Sequence, residues 1–258
     1  MKEKKQVYGK VACVSPQGYV SIPSYFGEND YGKTEISGIT IHYHLKNSSL
    51  NPPNILRAVL HAQKRVKEYL GHNLNKIDNI HILNSMEEMQ KHILNENKSL
   101  SWVGGIFHTG KIMVIAEPDD PDALYVHITH EIIHLAVYQM SNGKCSCWLD
   151  EGISVYLSQD LNDTYLKQLV RATDKNSFFP FEALEQQLPD TDENTRQLIY
   201  AQCFSMTKFL AETKGWEVVR LMFAQSATKP MSEILKYLGL NYYFLEKTWK
   251  QWLQKLNA

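Results

Sequence analysis

Apolar residues recur along this chain in two rhythms, and their change of period predicts a sheet first and helices later. Ile39, Ile41, Tyr43 and Leu45 alternate with polar neighbours, as in a half-buried strand, which puts His42 and His44 on the opposite face. A solvated face is the preferred reading of those histidines over a metal pair. After Asn51-Pro52-Pro53 the period becomes helical through Ile55, Val59, Ala62, Val66 and Tyr69, and Gly71 stops the helix. Ile80-His81-Ile82-Leu83 reads as a strand, and Ser85 with Glu88 forms a capping box that opens the next helix. Trp102 to Ala116 reads as a hairpin ending in Ile112-Met113-Val114-Ile115. Upstream, residues 1–36 carry short β-like runs, Val11-Ala12-Cys13-Val14 and Tyr19-Val20-Ser21-Ile22, broken by Pro16, Gly18, Pro23 and Gly27.

A long helix follows the hairpin. Glu117-Pro118-Asp119-Asp120-Pro121 supplies an aspartate to cap it and a proline for its first turn, and Gly143 closes it. Leu124, Ile128, Leu135 and Val137 make the helix apolar enough to be buried. Inside it lies His130-Glu131-Ile132-Ile133-His134. Residues four apart on a helix differ by only about 40° in azimuth, so both imidazoles can grip one metal ion from one face. Glu131 projects beside them, placed to deprotonate a water without entering the coordination shell. A paired-histidine face in a buried helix needs a partner, and a metal supplies one.

Catalytic zinc takes three protein ligands and keeps a fourth position for water. The third candidate is Glu151, in Trp148-Leu149-Asp150-Glu151-Gly152-Ile153-Ser154, a second helix after the Gly143 turn. The stretch from Leu135 to Asp150 is long enough to finish one helix and return antiparallel, with Gly152 allowing these two helices to approach closely. Apolar neighbours on both sides argue against a solvated Glu151. Asp150 is the rival ligand, or else an acceptor that orients a ligand histidine.

The HExxH run followed by Trp-Leu-x-Glu-Gly resembles the gluzincin metallopeptidases, the clan of thermolysin and aminopeptidase N, and most of all its smaller peptidase-MA-like members. The resemblance implies one zinc ion on His130, His134 and Glu151, with Glu131 as general base. Tyr200-Ala201-Gln202-Cys203, continuing to Leu210 and Gly215, resembles the aminopeptidase N pattern Tyr-x-x-Gly with a closing glycine, although Cys203 stands where that pattern has glycine. The carry-over makes Tyr200 a donor to the oxyanion. On the residues alone, a helix from about 196 to 213 buries Ile199, Cys203, Met206 and Leu210, and Tyr200 is a core-edge residue. In gluzincins a sheet edge pairs with extended substrate, which by resemblance sets Gly104, Gly105, Ile106 and Phe107 along the cleft; a plain structural hairpin is the alternative. Aminopeptidases of that family anchor the substrate amine with a glutamate in Gly-x-Met-Glu-Asn. Here Val103-Gly104-Gly105-Ile106-Phe107-His108 carries no acid, which favours internal cleavage unless the acidic stretch Asp190 to Glu193 folds over.

Composition agrees with such an enzyme. In 258 residues, 43% hydrophobic ones suffice for a real core. A net charge of −1 argues against nucleic-acid binding, and no apolar run approaches a membrane span. Neither a secretory h-region nor a disulfide framework is visible in Cys13, Cys145, Cys147 and Cys203, which favours the cytoplasm. Phe178 to Asp192 reads as loop, and Leu245, Trp249, Trp252 and Leu256 line one face of a final helix.

These readings converge on an α+β, zincin-like fold with a small mixed sheet and helices, then a mostly helical C-terminal lobe, and the active site between them. Residues 1–36 form an appendage of unread role, and 37–258 the catalytic domain, divided into 37–142 and 143–258. The expected activity is zinc-dependent hydrolysis of peptide or protein substrates, endopeptidase rather than aminopeptidase. Hydrolysis of a non-peptide amide or small modified peptide, or a vestigial zinc site in a regulatory protein, are the alternatives.

Overall fold

Why the first half makes a sheet is clearest at its centre. The computed structural model describes residues 10–11, 31–44, 52–74, 77, 79–92, 103–108, 111–116, 120–161, 163–185 and 192–256. Strand β4 (Asn79–Leu83) buries Ile80 through Leu83 and β6 (Lys111–Ile115) buries Ile112 through Val114, so both of their faces are covered, which is what unbroken apolar runs require. β3 (Ile39–His44) pairs parallel to β4, and β4 parallel to β6. Helix α1 (Pro52–Arg65) continues into a π-turn at Val66–Leu70 and ends at Gly71 with φ of 66°. Ser85 caps α2 (Met86–His92) by accepting from the Glu88 N–H at 3.2 Å, while the Glu88 carboxylate takes the Asn84 N–H at 2.8 Å, one residue earlier than a strict capping box.

The hairpin is β5 (Val103–His108) antiparallel to β6, with Gly105 opposite Val114. One strand lies beyond the expected pattern, and another overlaps it at Val11 alone. β2 (Tyr31–Ile36) runs antiparallel to β3 through a Ser37-Gly38 turn with φ of 51° and 79°, and the Tyr31 hydroxyl donates to Glu88. β1 (Lys10–Val11) runs parallel to β5, giving the order β1-β5-β6-β4-β3-β2. β5 is therefore not the outermost strand, because β1 lies on its outer side. Of the upstream runs, only Val11 falls within the described residues; Ala12 to Val14 and Tyr19 to Ile22 lie outside them. His42 and His44 are half-buried rather than solvated: His42 stacks on His81 at 4.5 Å and His44 meets Tyr31 edge-on at 5.2 Å.

The remainder is helical: α3 (Pro121–Ser141), α4 (Cys147–Ser158), α5 (Asp163–Lys175), α6 (Glu193–Lys214), α7 (Trp216–Ser226), α8 (Met231–Tyr237) and α9 (Tyr242–Leu256), with a 3₁₀ turn at Phe181–Leu184 in the expected loop. Helix α6 starts earlier than its apolar stripe because Asp192 caps it, accepting from the Asn194 and Thr195 N–H groups. That role occupies Asp192 of the stretch considered as an amine anchor. In α9 the buried stripe is Leu245, Trp249 and Leu253, with Trp252 only half-buried against Phe209.

The class is α+β, sheet first and helices after. Contacts divide the chain into two units, Met1–His61 with Lys76–Ile132 and Ala62–Asn75 with Ile133–Ala258, so the division falls inside α3. In the first, Leu83, Ile106 and Met113 pack with Met89 of α2. In the second, Trp148, Phe181 and Trp249 form an aromatic centre, their rings 5.5 and 5.4 Å apart in sequence. No helix among the described residues is long and apolar enough to cross a membrane.

Candidate metal centre

Local sequence makes α3 long enough to carry the motif. Asp120 accepts from the Ala123 N–H at 3.0 Å as the N-cap, and Asn142 and Gly143 turn the chain left-handed at φ of 52° and 69°. The 21-residue helix has apolar residues on nearly every face, so His130, Glu131 and His134 are all buried within it. A buried imidazole or carboxylate without compensation is costly. His130 and His134 meet that cost together with Glu151: each offers a ligand atom, and these atoms all lie within 4.8 Å of one another. Among the described residues, no other group of three His, Cys, Asp or Glu side chains gathers in this way.

Helix α4 supplies the rest. Asp150 and Ser154 are one turn apart, and both address His134 Nδ1, at 2.7 and 3.2 Å. The carboxylate accepts a hydrogen bond from Nδ1–H, which fixes the tautomer and leaves the lone pair of Nε2, 3.7 Å from Glu151 Oε2, to serve as a metal ligand. Asp150 is therefore the orienting acceptor, and Glu151, fully buried, is the third ligand candidate. Two imidazole nitrogens and one carboxylate oxygen, one histidine already held by an outer carboxylate, fit a zinc ion.

The glycine after Glu151 has a different use from the one expected. A Cβ at Gly152 would lie 2.2 Å from Thr207 Oγ1 and 2.3 Å from the Cys203 carbonyl oxygen. Both belong to α6, so Gly152 lets α4 press on α6 rather than on α3, and this contact also explains how Cys203 is tolerated. The close approach is provided from the α4 side. Burial, followed by the charge of Glu151, pushes the Cys203 thiol well above its usual range, so it packs as a neutral group.

Glu131 meets the sheet. A Cβ on Gly105 would sit 2.7 Å from Glu131 Oε1, so β5 passes against the carboxylate with only glycine's hydrogen between them. Gly104 and Ile106 are also buried, and Phe107 is half-buried. Tyr200 is buried on α6, stacked on Tyr165 at 6.2 Å in a cluster with Val155 and Ala201.

Two residues went unnoticed in the sequence. Ser154 could have been found as the residue one turn after Asp150. His127, fully buried, lies one turn before both His130 and Glu131 and about 20° in azimuth from His134, and the seven-residue spacing was its signal.

Residues 58–255 match the family model described as the peptidase MA superfamily. No curated protein matches the chain.

Proposed function

This chain belongs to the peptidase MA superfamily, and from that premise we propose that it is a zinc-dependent metallopeptidase cutting peptide bonds within extended chains. The observation carrying the proposal is the buried set His130, His134 and Glu151 with ligand atoms inside 4.8 Å, His134 already oriented by Asp150. One zinc ion held by these three residues would supply Lewis acidity, polarising a carbonyl and lowering the pKa of water to about 7.

The chain's own residues do the rest. Glu131 takes the proton from the attacking water and returns it to the leaving amine as the bond breaks. Its burial removes competing solvent, and Gly105 leaves its carboxylate room. The backbone of Gly104, Gly105, Ile106 and Phe107 borders the substrate. The Tyr200 hydroxyl donates to the oxyanion. Tyr200→Phe is accordingly expected to lower kcat by about 10²- to 10³-fold, the loss typical of one oxyanion donor, with melting temperature and zinc content unchanged. Unchanged kcat would reduce Tyr200 to a packing residue of the Tyr165 cluster.

The composition of β5 supports internal cleavage. An aminopeptidase must neutralise a desolvated ammonium, and β5 from Val103 to His108 carries no carboxylate. Matched peptides with free and acetylated N-termini test this together with the activity. The zinc-loaded protein is expected to cut both at comparable kcat/KM and at internal bonds. A strong preference for the free amine would make it an aminopeptidase with its anchor elsewhere, and no hydrolysis of any peptide would remove the peptidase assignment.

A further inference from the structure

Aromatic residues on α8 and α9 divide sharply between interior and surface. Helix α8 buries Met231, Ile234 and Leu235 and then ends, with Gly239 at φ of 70° and the Leu240 N–H returning to the Leu235 carbonyl at 2.7 Å. Asn241 starts α9 by accepting from the Phe244 N–H at 2.8 Å. Three aromatic residues in a row follow, and the fold uses the first: the Tyr242 hydroxyl donates to Glu185 at 2.7 Å, while Leu245 and Trp249 carry the buried stripe. Tyr243 and Phe244 turn outward, 69% and 54% exposed, their rings edge-on at 5.7 Å, and Tyr237 at the end of α8 is 72% exposed. These are half of the six large apolar side chains exposed among the described residues, and all three flank one turn between two helices. Such a concentration of rings in water marks an interaction surface.

Exposure and charge identify the partner. Rings that line a groove for a peptide are partly covered by the groove itself, whereas these stand out from the surface and must enter something else. Their surroundings are basic. Thr228 to Leu256 contains five lysines, two glutamates and no other charged residue, in a chain of net charge −1. Glu246 is already answered by Lys250 at 2.8 Å. Lys229, Lys236 and Lys247 are exposed, and Glu233 is the exposed acid among them. The Lys229 ammonium lies 5.8 Å from the centre of the Tyr237 ring, Lys236 precedes that tyrosine, and Lys247 is one helical turn beyond Tyr243 and Phe244. Tyrosine and phenylalanine flanked by lysine suit the boundary of a bilayer, where rings enter the acyl region while hydroxyl and ammonium groups stay with water and phosphate.

We propose that the α8–α9 corner is a peripheral docking site for an anionic lipid surface, inserted through Tyr237, Tyr243 and Phe244 and held by Lys229, Lys236 and Lys247. No helix has to cross the bilayer for this, and the described residues contain none that could. Three rings and three lysines give a reversible attachment rather than an anchor. The inference uses none of the metal-centre residues and stands independently of the peptidase reading.

The test is sedimentation of the full chain with vesicles of phosphatidylcholine alone or mixed with phosphatidylserine. The wild type is expected to partition at least about tenfold more strongly onto the mixed vesicles, and added salt should release it. Tyr237→Ser, Tyr243→Ser and Phe244→Ser together should weaken that partitioning at least about tenfold by removing the inserted rings. Lys229→Gln, Lys236→Gln and Lys247→Gln together should weaken it about 10- to 100-fold and remove most of the salt dependence, since each lysine near such a surface contributes about fivefold. All six side chains are exposed, so melting temperature, zinc content and peptide hydrolysis without vesicles should match wild type in both variants. The two sets share no residue, and either decides alone if the other fails to fold.

Failure of the wild type to bind mixed vesicles, equal binding to both compositions, or an aromatic variant that binds as the wild type does would overturn the proposal. A wild type that dimerises with rising concentration and binds no vesicles, with the dimer lost in the aromatic variant, would also overturn it and assign the corner to a second copy of the chain. Each of these results leaves the peptidase reading untouched.

Discussion

Glu131→Gln is expected to hold its zinc, melt as the wild type does and lose about 10²- to 10⁴-fold in kcat, the range that one positioned general base contributes. The substitution suits the site sterically. Glu131 is fully buried, and a Cβ on Gly105 would already sit 2.7 Å from its Oε1, so a shorter or branched replacement would confuse loss of chemistry with loss of packing. Glutamine keeps the volume and removes only the ability to take a proton. Zinc is measured by elemental analysis and kcat on an internally cleaved peptide under saturating substrate. Because His130, His134 and Glu151 are untouched, occupancy should stay near that of wild type. A glutamine variant that still turns over at the wild-type rate would remove Glu131 from proton transfer.

Gly105→Ala approaches the same point from the sheet. An added methyl group forces either the β5 backbone or the Glu131 carboxylate to move, since contacts below 3.0 Å do not persist between a Cβ and its neighbours. Its consequence should therefore resemble a misplaced base more than a weakened fold.

What could be read from the sequence was whatever depends on near neighbours in the chain. The Asp120 cap, the Gly71 and Gly143 stops and the closeness of His130 and His134 follow from helix geometry, and each holds in the structure. Glu151 was legible because the turn after α3 is short and the helix that follows is apolar around it. β2 escaped because Tyr31 to Ile36 mixes exposed and half-buried positions without a clean apolar alternation, although the Ser37-Gly38 pair announces a hairpin. The β-like run at Val11 was legible, but the partner of β1 was not. Its pairing with β5 spans most of the sheet-forming half of the chain, and nothing local to Lys10 or Val11 names Val103 and Gly105 as partners. Gly152 shows the limit most plainly: the need for a small residue was visible, but not that α6 rather than α3 would press on it. Periodicity tells which face is buried and leaves open what covers it.

Adjacent acids on α4 give the second large effect, because Asp150 and Glu151 should fail differently. Glu151 is fully buried with Oε2 3.7 Å from His134 Nε2, so Glu151→Ala removes a charged donor from the ligand set itself. The two remaining histidines then face a divalent ion with no carboxylate left in the ligand set, and zinc affinity is expected to fall by far more than about 100-fold, the upper end for losing an outer partner. His134→Ala should do the same. Asp150→Asn leaves all three ligands and changes only the acceptor that holds His134 Nδ1 at 2.7 Å, which Ser154 can share from 3.2 Å. Its expected cost is about 10- to 100-fold in affinity, with activity recovered at high zinc. Titration of the metal-free proteins against a zinc chelator buffer separates the two, and recovery of turnover should be seen for Asp150→Asn alone. If Asp150→Ala empties the site while Glu151→Ala keeps it loaded, the roles are reversed: Asp150 is the ligand, and His134 must then bind through the nitrogen that now faces it.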